Sequence, residues 1–347
     1  MHRLAAVNAV CFLLLAQTVL TGNLNVPRAG SVATLLADGR VLVTGGFNAT
    51  GDLATAEIFD PATAQFTRIA AMNAPHSRHT ATALPNGDVL IAGDSAEIFD
   101  GSHFVSLGAF PRRSHTATLL RDGRVLLAGG ISGDTVRSDA VIFDPATRAF
   151  ESAGSMTTPR FDHGSALLPD GRVLIAGGYS TNSNRGFAVS AEIFDPLTKT
   201  FTATATPFGP HVGEIITLGN GDLLLAGIDD PPLASSTSEI FDGTTFRPAM
   251  PVWSARWGST STVMPTGSVV IAGGGHFYTT NDLSTFDPAT NSYHSLGALQ
   301  IARSEHAAIA LRDGRLLIIG GQDQGTVNAT GESLGAPSKS GRHRVAR

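Results

Sequence analysis

Seven stretches of this chain carry chemically capable side chains at a recurring place. Arg28, Arg112, Arg160, Arg256 and Arg303 each stand eleven residues before a turn glycine, and His76 and Pro210 hold the same place in the other two copies. His79, His115, His163 and His306 follow three residues later. A collar of guanidinium and imidazole groups would bind carboxylates or other anions, the planar guanidinium offering paired N–H donors. The competing account is structural: a residue that returns in every unit serves every unit, bridging neighbours by hydrogen bonds. Residues that break the repeat are therefore the sharper candidates. Trp253 and Trp257, the only tryptophans, flank Arg256, and His276, Phe277 and Tyr278 follow on a later loop. Such aromatics beside an arginine would stack a sugar ring or hold a peptide side chain; packing over loose sheet edges is the plainer use. The ligand-binding candidates are accordingly Arg160, Trp253, Arg256, Trp257, His276, Tyr278 and Arg303.

Catalytic inventories are thinner. Arg303, Glu305 and His306, like Arg160, Asp162 and His163, place an acid, a base and an anion anchor together, which suffices for proton shuttling on a sugar. No phosphate loop, nucleophile elbow or HExxH helix occurs. Asp229 and Asp230 lack the further oxygen ligands at fixed spacing that calcium needs. Cys11 is the only cysteine, so neither an internal disulfide nor a cysteine-based zinc site is available. The sequence calls for no metal, no cofactor and no catalytic residue. Charged residues make up 15% of the chain and the net charge is −5, which gives no electrostatic footprint for nucleic acid or an anionic membrane.

The elements that position these residues are read from the repeat. Asp38-Gly-Arg-Val-Leu-Val-Thr-Gly-Gly46 returns at Asp122–Gly130, Asp170–Gly178 and Asp313–Gly321, with weaker copies from Asn86, Asn220 and Thr266. In each copy a stretch alternating small polar and apolar residues, such as His115–Leu120, reads as a half-buried strand. Asp-Gly or Asn-Gly makes a tight hairpin turn, and the next strand, such as Arg124–Ala128, is continuously apolar. A variable loop leads to a third strand ending in Ile-Phe-Asp, at Asp60, Asp100, Asp144, Asp195 and Asp242, with Phe286-Asp287 a divergent copy. A fourth strand carries one aromatic: Phe66, Phe104, Phe150, Phe201, Phe246 or Tyr293. Four antiparallel strands in about 48 residues describe a propeller blade, and seven copies describe an all-β, seven-bladed β-propeller.

Asp-Gly-Arg-Val-Leu-x-x-Gly-Gly, a loop, Ile-Phe-Asp-Pro and a later aromatic together resemble the kelch repeat, in the form found in bacterial kelch proteins and in the propeller of the galactose oxidase family. The resemblance spans roughly residues 20–330 and departs from it by using Phe where Tyr and Trp are usual. It implies a rigid ring. It does not extend to the copper-radical chemistry, which needs a Tyr–Cys cross-link that Cys11 cannot supply. Small kelch propellers that mutarotate sugars supply the alternative reading, an isomerase at the channel mouth. The leading expectation is a binding scaffold, monomeric and not an enzyme, that recognises a protein or a glycan. The loops between second and third strands share one face with the blade linkers and carry nearly all the variation, so recognition is expected there.

The ends of the chain constrain each other. The seventh copy lacks two strands; Thr326–Thr330 offers a third, and residues near Gln17–Thr21 are expected to supply the fourth and close the ring. Arg3 and the apolar run Leu4–Ala16 read as a signal peptide over 1–16, too short and interrupted for a membrane span. That makes the propeller, 17–330, secreted or periplasmic, or cytoplasmic if the run is instead a strand. Residues 331–347 end in a basic segment read as a disordered tail.

Overall fold

A computed structural model describes residues 18–181, 186–225, 238–250, 256–275 and 278–335. Seven four-stranded antiparallel sheets follow one another along these residues. The first strand of each blade touches the first strand of the next all the way round, from Val32–Leu35 in blade one to Ala307–Ala310 in blade seven and back. These strands wall a central channel. The chain is an all-β, seven-bladed propeller.

Each blade is built as its pattern requires. The second strands, such as Val41–Thr44, Val125–Ala128 and Leu316–Ile319, are wholly buried, because both of their faces pack against neighbouring blades. The turn before them is fixed locally: Asp38 accepts from the Arg40 amide at 2.9 Å while Gly39 takes φ +90°, a conformation a side chain resists. The Ile-Phe-Asp phenylalanines, Phe59, Phe99, Phe143, Phe194, Phe241 and Phe286, are at most 1% exposed. Each packs on the fourth-strand aromatic of its own blade, with centroids 4.7–5.1 Å apart. The apolar cores lie between blades, so every blade depends on its neighbours; Val41, Val43 and Phe59 of blade one pack on Leu317 and Ile319 of blade seven.

Closure is achieved by the N-terminal strand. Thr18–Leu20 pairs antiparallel with Gly331–Leu334, and the Thr18 hydroxyl donates to Glu332 Oε2 at 2.7 Å. The third strand of blade seven is not where the sequence suggested. Thr326–Val327 instead pairs with Gln322–Asp323 in a loop hairpin, and the strand is Gly331–Leu334, fully buried. Glu332-Ser-Leu is a degenerate Glu-Ile-Phe: Glu332 occupies the place of Glu57 and Leu334 that of Phe59. The propeller thus runs past residue 330, to Leu334. The expected signal segment and the basic end lie outside the described residues. Among the described residues no helix is long and apolar enough to cross a membrane.

Candidate functional site

Apart from Arg256, the recurring arginines are withdrawn from the channel mouth. Arg28, Arg160 and Arg303 are fully buried. Each binds only within its own blade, and Arg160 shows the pattern. Nη1 donates to Gly177 O at 2.9 Å and Ser190 O at 3.1 Å, and Nη2 to Glu192 Oε1 at 3.2 Å. Glu192 also accepts from the Thr157 and Thr158 amides. The pair therefore ties the blade linker, the Gly-Gly corner and the third strand together. Burial lowers the Arg160 and Arg303 guanidinium pKa values, and their glutamates oppose the shift. In blades two and five the place is taken by His76 and His211, each with Nε2 on a buried glutamate, at 3.0 Å and 2.8 Å. The blade-five residue is thus His211, not Pro210; its linker is offset by one residue. Arg256, 9% exposed, donates to Gly273 O at 2.9 Å and stands 3.7 Å from Asp282. As ligand anchors, Arg160 and Arg303 have no surface to offer.

The recurring histidines bridge blades. His79, His115, His163 and His306 each hold a threonine hydroxyl of the preceding blade with Nε2, at 2.8–3.1 Å. Burial, reinforced by nearby positive groups, pushes His79, His115 and His306 down to about 3, and His163 also falls well below its ordinary value. These imidazoles are neutral and structural.

The residue between the two stands at the channel, exposed at Arg78, half-buried at Asp162 and Glu305 and buried at Ser114. Two places after each arginine or histidine anchor, the chain enters the left-handed region at Gly30, Arg78, Ser114, Asp162, Gly213, Gly258 and Glu305, with φ from +50° to +101°. Backbone hydrogen bonds link these positions around the channel. Ser114 N donates to Arg78 O, Asp162 N to Ser114 O and Gly213 N to Asp162 O; Glu305 N donates to Gly258 O and Gly30 N to Glu305 O, all at 2.7–3.0 Å. A side chain here costs roughly 1–2 kcal/mol relative to glycine. The turn residues Ala64, Arg148, Lys199 and Asn291 share this conformation, so the geometry belongs to the repeat. What is particular to this chain is the chemistry placed on it.

That chemistry lines a cavity of about 730 Å³ at the channel mouth, on the face that carries the variable loops. Arg78, Asp162, Glu214, Glu305 and Trp257 supply its functional groups. Arg78 is exposed and lowers the pKa of both Asp162 and Glu305 electrostatically. Burial nevertheless wins, and both carboxyls are raised; Glu305 also accepts from Gln322 Nε2 at 2.7 Å. Glu214 is raised by the protein walls around it, although its side chain keeps contact with channel solvent, which tempers the shift. Beside Asp162, Phe161, Tyr179 and Phe187 form an aromatic ladder with centroids 5.4 and 5.1 Å apart.

Of the residues singled out by sequence, Trp257 reaches the cavity and is 43% exposed, with Arg256 behind it in the wall. Tyr278, 78% exposed, lies on the loop after the second strand of blade six and is not part of the lining. Trp253, His276, Phe277, Asp229 and Asp230 lie outside the described residues. Arg78, Ser114 and Glu214 went unrecognised. The signal for Arg78 and Ser114 is a column, one residue before the recurring histidine, that varies from blade to blade, whereas Glu214 stands in the histidine's own place in blade five.

The fold and its mouth define the class: a seven-bladed kelch-type β-propeller. Residues 28–73 match the Kelch motif. Among solved structures the chain is similar to a fungal alcohol oxidase of the AA5 family in complex with copper, at 14% identity and a TM-score of 0.72, covering 93% of this chain and 77% of that one. It is also similar to YjhT, at 14% identity and a TM-score of 0.58, covering 92% and 97%. Likeness at this identity establishes the fold alone. No curated protein matches the sequence. A copper centre like that of the oxidase finds no fit among the described residues. No three His, Cys, Asp or Glu side chains converge there, and the channel histidines spend Nε2 on neighbouring threonines.

Proposed function

We propose that the chain is a binding scaffold that receives a glycan residue in the channel mouth, without turning it over. The observation that carries this reading is the 730 Å³ cavity in which the non-repeating side chains, Arg78, Asp162, Glu214, Glu305 and Trp257, meet. Its volume is that of a small-molecule site. An exposed indole beside carboxylates and a guanidinium offers a sugar an apolar face to stack on and acceptors and donors for its hydroxyls. Of the expected Arg and His collar, Arg28, Arg160 and Arg303 are buried within their own blades and the histidines hold neighbouring threonines, which leaves the non-repeating side chains to meet a ligand.

A glycan and peptide screen with calorimetry tests this. Trp257→Ala and Arg78→Ala should each weaken the retained ligand at least about tenfold with the melting temperature unchanged. A ligand indifferent to both substitutions would place recognition elsewhere on the ring.

The raised carboxyls favour a second reading, proton transfer to a reducing sugar by Asp162, Glu214 or Glu305. Anomeric exchange measured by NMR decides it: turnover abolished by Glu305→Gln establishes an isomerase, and no turnover leaves the scaffold. Export remains part of the proposal, supported by Arg3 and the apolar run Leu4–Ala16. Because Thr18–Leu20 is a strand of blade seven, the mature chain must retain Thr18, which N-terminal sequencing checks.

A further inference from the structure

The collar of arginines suggested a mouth for anions, and the geometry reverses that expectation. Arg160 and Arg303 close their hydrogen bonds within their own blades, and Arg256 stands in the wall against Gly273 O and Asp282. His79, His115 and His163 reach the cavity wall but hold neighbouring threonines and are buried. The charges left to face the cavity are Asp162, Glu214 and Glu305 against Arg78 alone, and among the described residues Arg78 forms no ion pair. Trp257 presents an indole, the aromatic that best attracts a cation to its face. Gly213 and Gly258 leave the sector between Glu214 and Trp257 without a side chain at the ring position.

We propose that the ligand of the channel mouth carries a positive charge, seated between Glu214, Trp257 and the Asp162 and Glu305 carboxylates: an amino sugar. The sugar rests on the glycan reading above; the charge does not. Low-dielectric walls focus the field of like charges in a cleft and concentrate the opposite ion there. An acidic sugar would meet three carboxylates with one unpaired guanidinium to answer them. Arg78 belongs to blade two, across the ring from blades five and six, which carry Glu214 and Trp257. The Glu214 and Trp257 side is left for the ammonium.

Two measurements test the inference separately. The first compares glucosamine, glucose and glucuronate by calorimetry at pH 7.0. Glucosamine should bind at least about tenfold tighter than glucuronate, and the ratio should shrink at 300 mM salt and in the Asp162→Asn/Glu214→Gln/Glu305→Gln variant. Glucuronate binding as tightly as glucosamine, or a ratio indifferent to the three substitutions, overturns the proposal. If none of the three sugars binds, the glycan reading fails. The charge is then decided by the second measurement, which needs no ligand. In a Trp253→Phe chain, whose remaining tryptophan is Trp257, fluorescence is quenched with caesium and with iodide. The caesium-to-iodide ratio should exceed that of N-acetyltryptophanamide about threefold and fall toward it in the triple variant. A ratio at or below the reference refutes a cation-selective mouth.

Discussion

Acid should dismantle this ring within a narrow pH range, through histidines that take no part in binding. His79, His115 and His306 are buried, neutral, and pushed down to about 3 in the folded chain, against about 6.5 unfolded. Their folded pKa values lie below the unfolded ones, so between these limits the unfolded chain binds the more protons. Stability is therefore complete above pH 6.5 and falls as the pH drops toward 3. Each histidine removes about 1.4 kcal/mol per pH unit across that window. By pH 4.5 that is roughly 3 kcal/mol for one and on the order of 8 kcal/mol for the three together. His163 adds to the loss. Asp162, Glu214 and Glu305 run the other way, since raised carboxyls bind protons more readily when folded and oppose acid unfolding. Net stabilities of folded proteins are about 5–15 kcal/mol, so the loss is comparable with the whole, and unfolding should fall between about pH 4 and 5. Urea titrations followed by circular dichroism from pH 7.5 to 4.5 would measure it. The control is His79→Gln/His115→Gln/His306→Gln, in which the amide can still reach the threonine hydroxyl but does not titrate. The triple variant should start less stable and lose about 8 kcal/mol less on acidification. A flat profile in the native chain between pH 6.5 and 4.5, or an equal slope in the variant, would refute the reasoning.

Three further outcomes are expected. Glu192→Ala strips the buried Arg160 of its partner and should cost about 3–5 kcal/mol, read as a lowered urea midpoint; a change under 1 kcal/mol would mean that the ion pair is not needed. Gly320→Ala and Gly133→Ala have similar φ, +63° and +56°, but a Cβ at 320 would overlap the Arg28 carbonyl across the closing blade interface, whereas 133 opens on space. Gly133→Ala should thus cost only the left-handed strain, about 1–2 kcal/mol, and Gly320→Ala clearly more, by thermal melting. Replacing Arg78, Asp162 or Glu305 with Gly relieves that strain while adding unfolded-state entropy of about 0.4–1 kcal/mol. These variants should hold or gain up to about 1 kcal/mol while ligand binding is lost, and a loss above 1 kcal/mol would mean that the side chains serve the fold.

The ring was legible because its determinants are local. An Asp-Gly turn, an apolar strand and an Ile-Phe-Asp strand each announce themselves within ten residues, and the missing fourth strand of blade seven pointed to Thr18–Leu20. Glu332-Ser-Leu334 escaped because Ser and Leu replace the Ile and Phe that mark the strand; its identity lies in Glu332 receiving Arg303, a contact across 29 residues. His211 escaped for a similar reason, since the offset is visible only where its Nε2 meets Glu239. The site was half legible. Residue types gave Trp257, Asp162 and Glu305, but a sequence does not tell whether an arginine has closed its hydrogen bonds inside its own blade. Arg160 and Arg303 were thus overvalued, and Arg78, which has no such partner among the described residues, was overlooked.

The separation of frame from mouth follows from which side chains direct their hydrogen bonds into the blades. In each blade the anchor residue bonds to the Gly-Gly corner, the third strand or the linker, and the histidine, where present, holds the blade before through Nε2. Changing either leaves a buried polar group orphaned, at about 1–3 kcal/mol and more for a charge. The residue between them contributes its backbone to the collar of the channel, and glycine in three blades shows that the collar does not require a side chain there. Substitution at that column therefore disturbs little beyond local strain, while every side chain it introduces arrives at the same rim. Arg78, Asp162 and Glu305 occupy three of seven equivalent places, and their spacing around the channel, with Trp257 and Glu214 on the glycine side, sets what the mouth can hold.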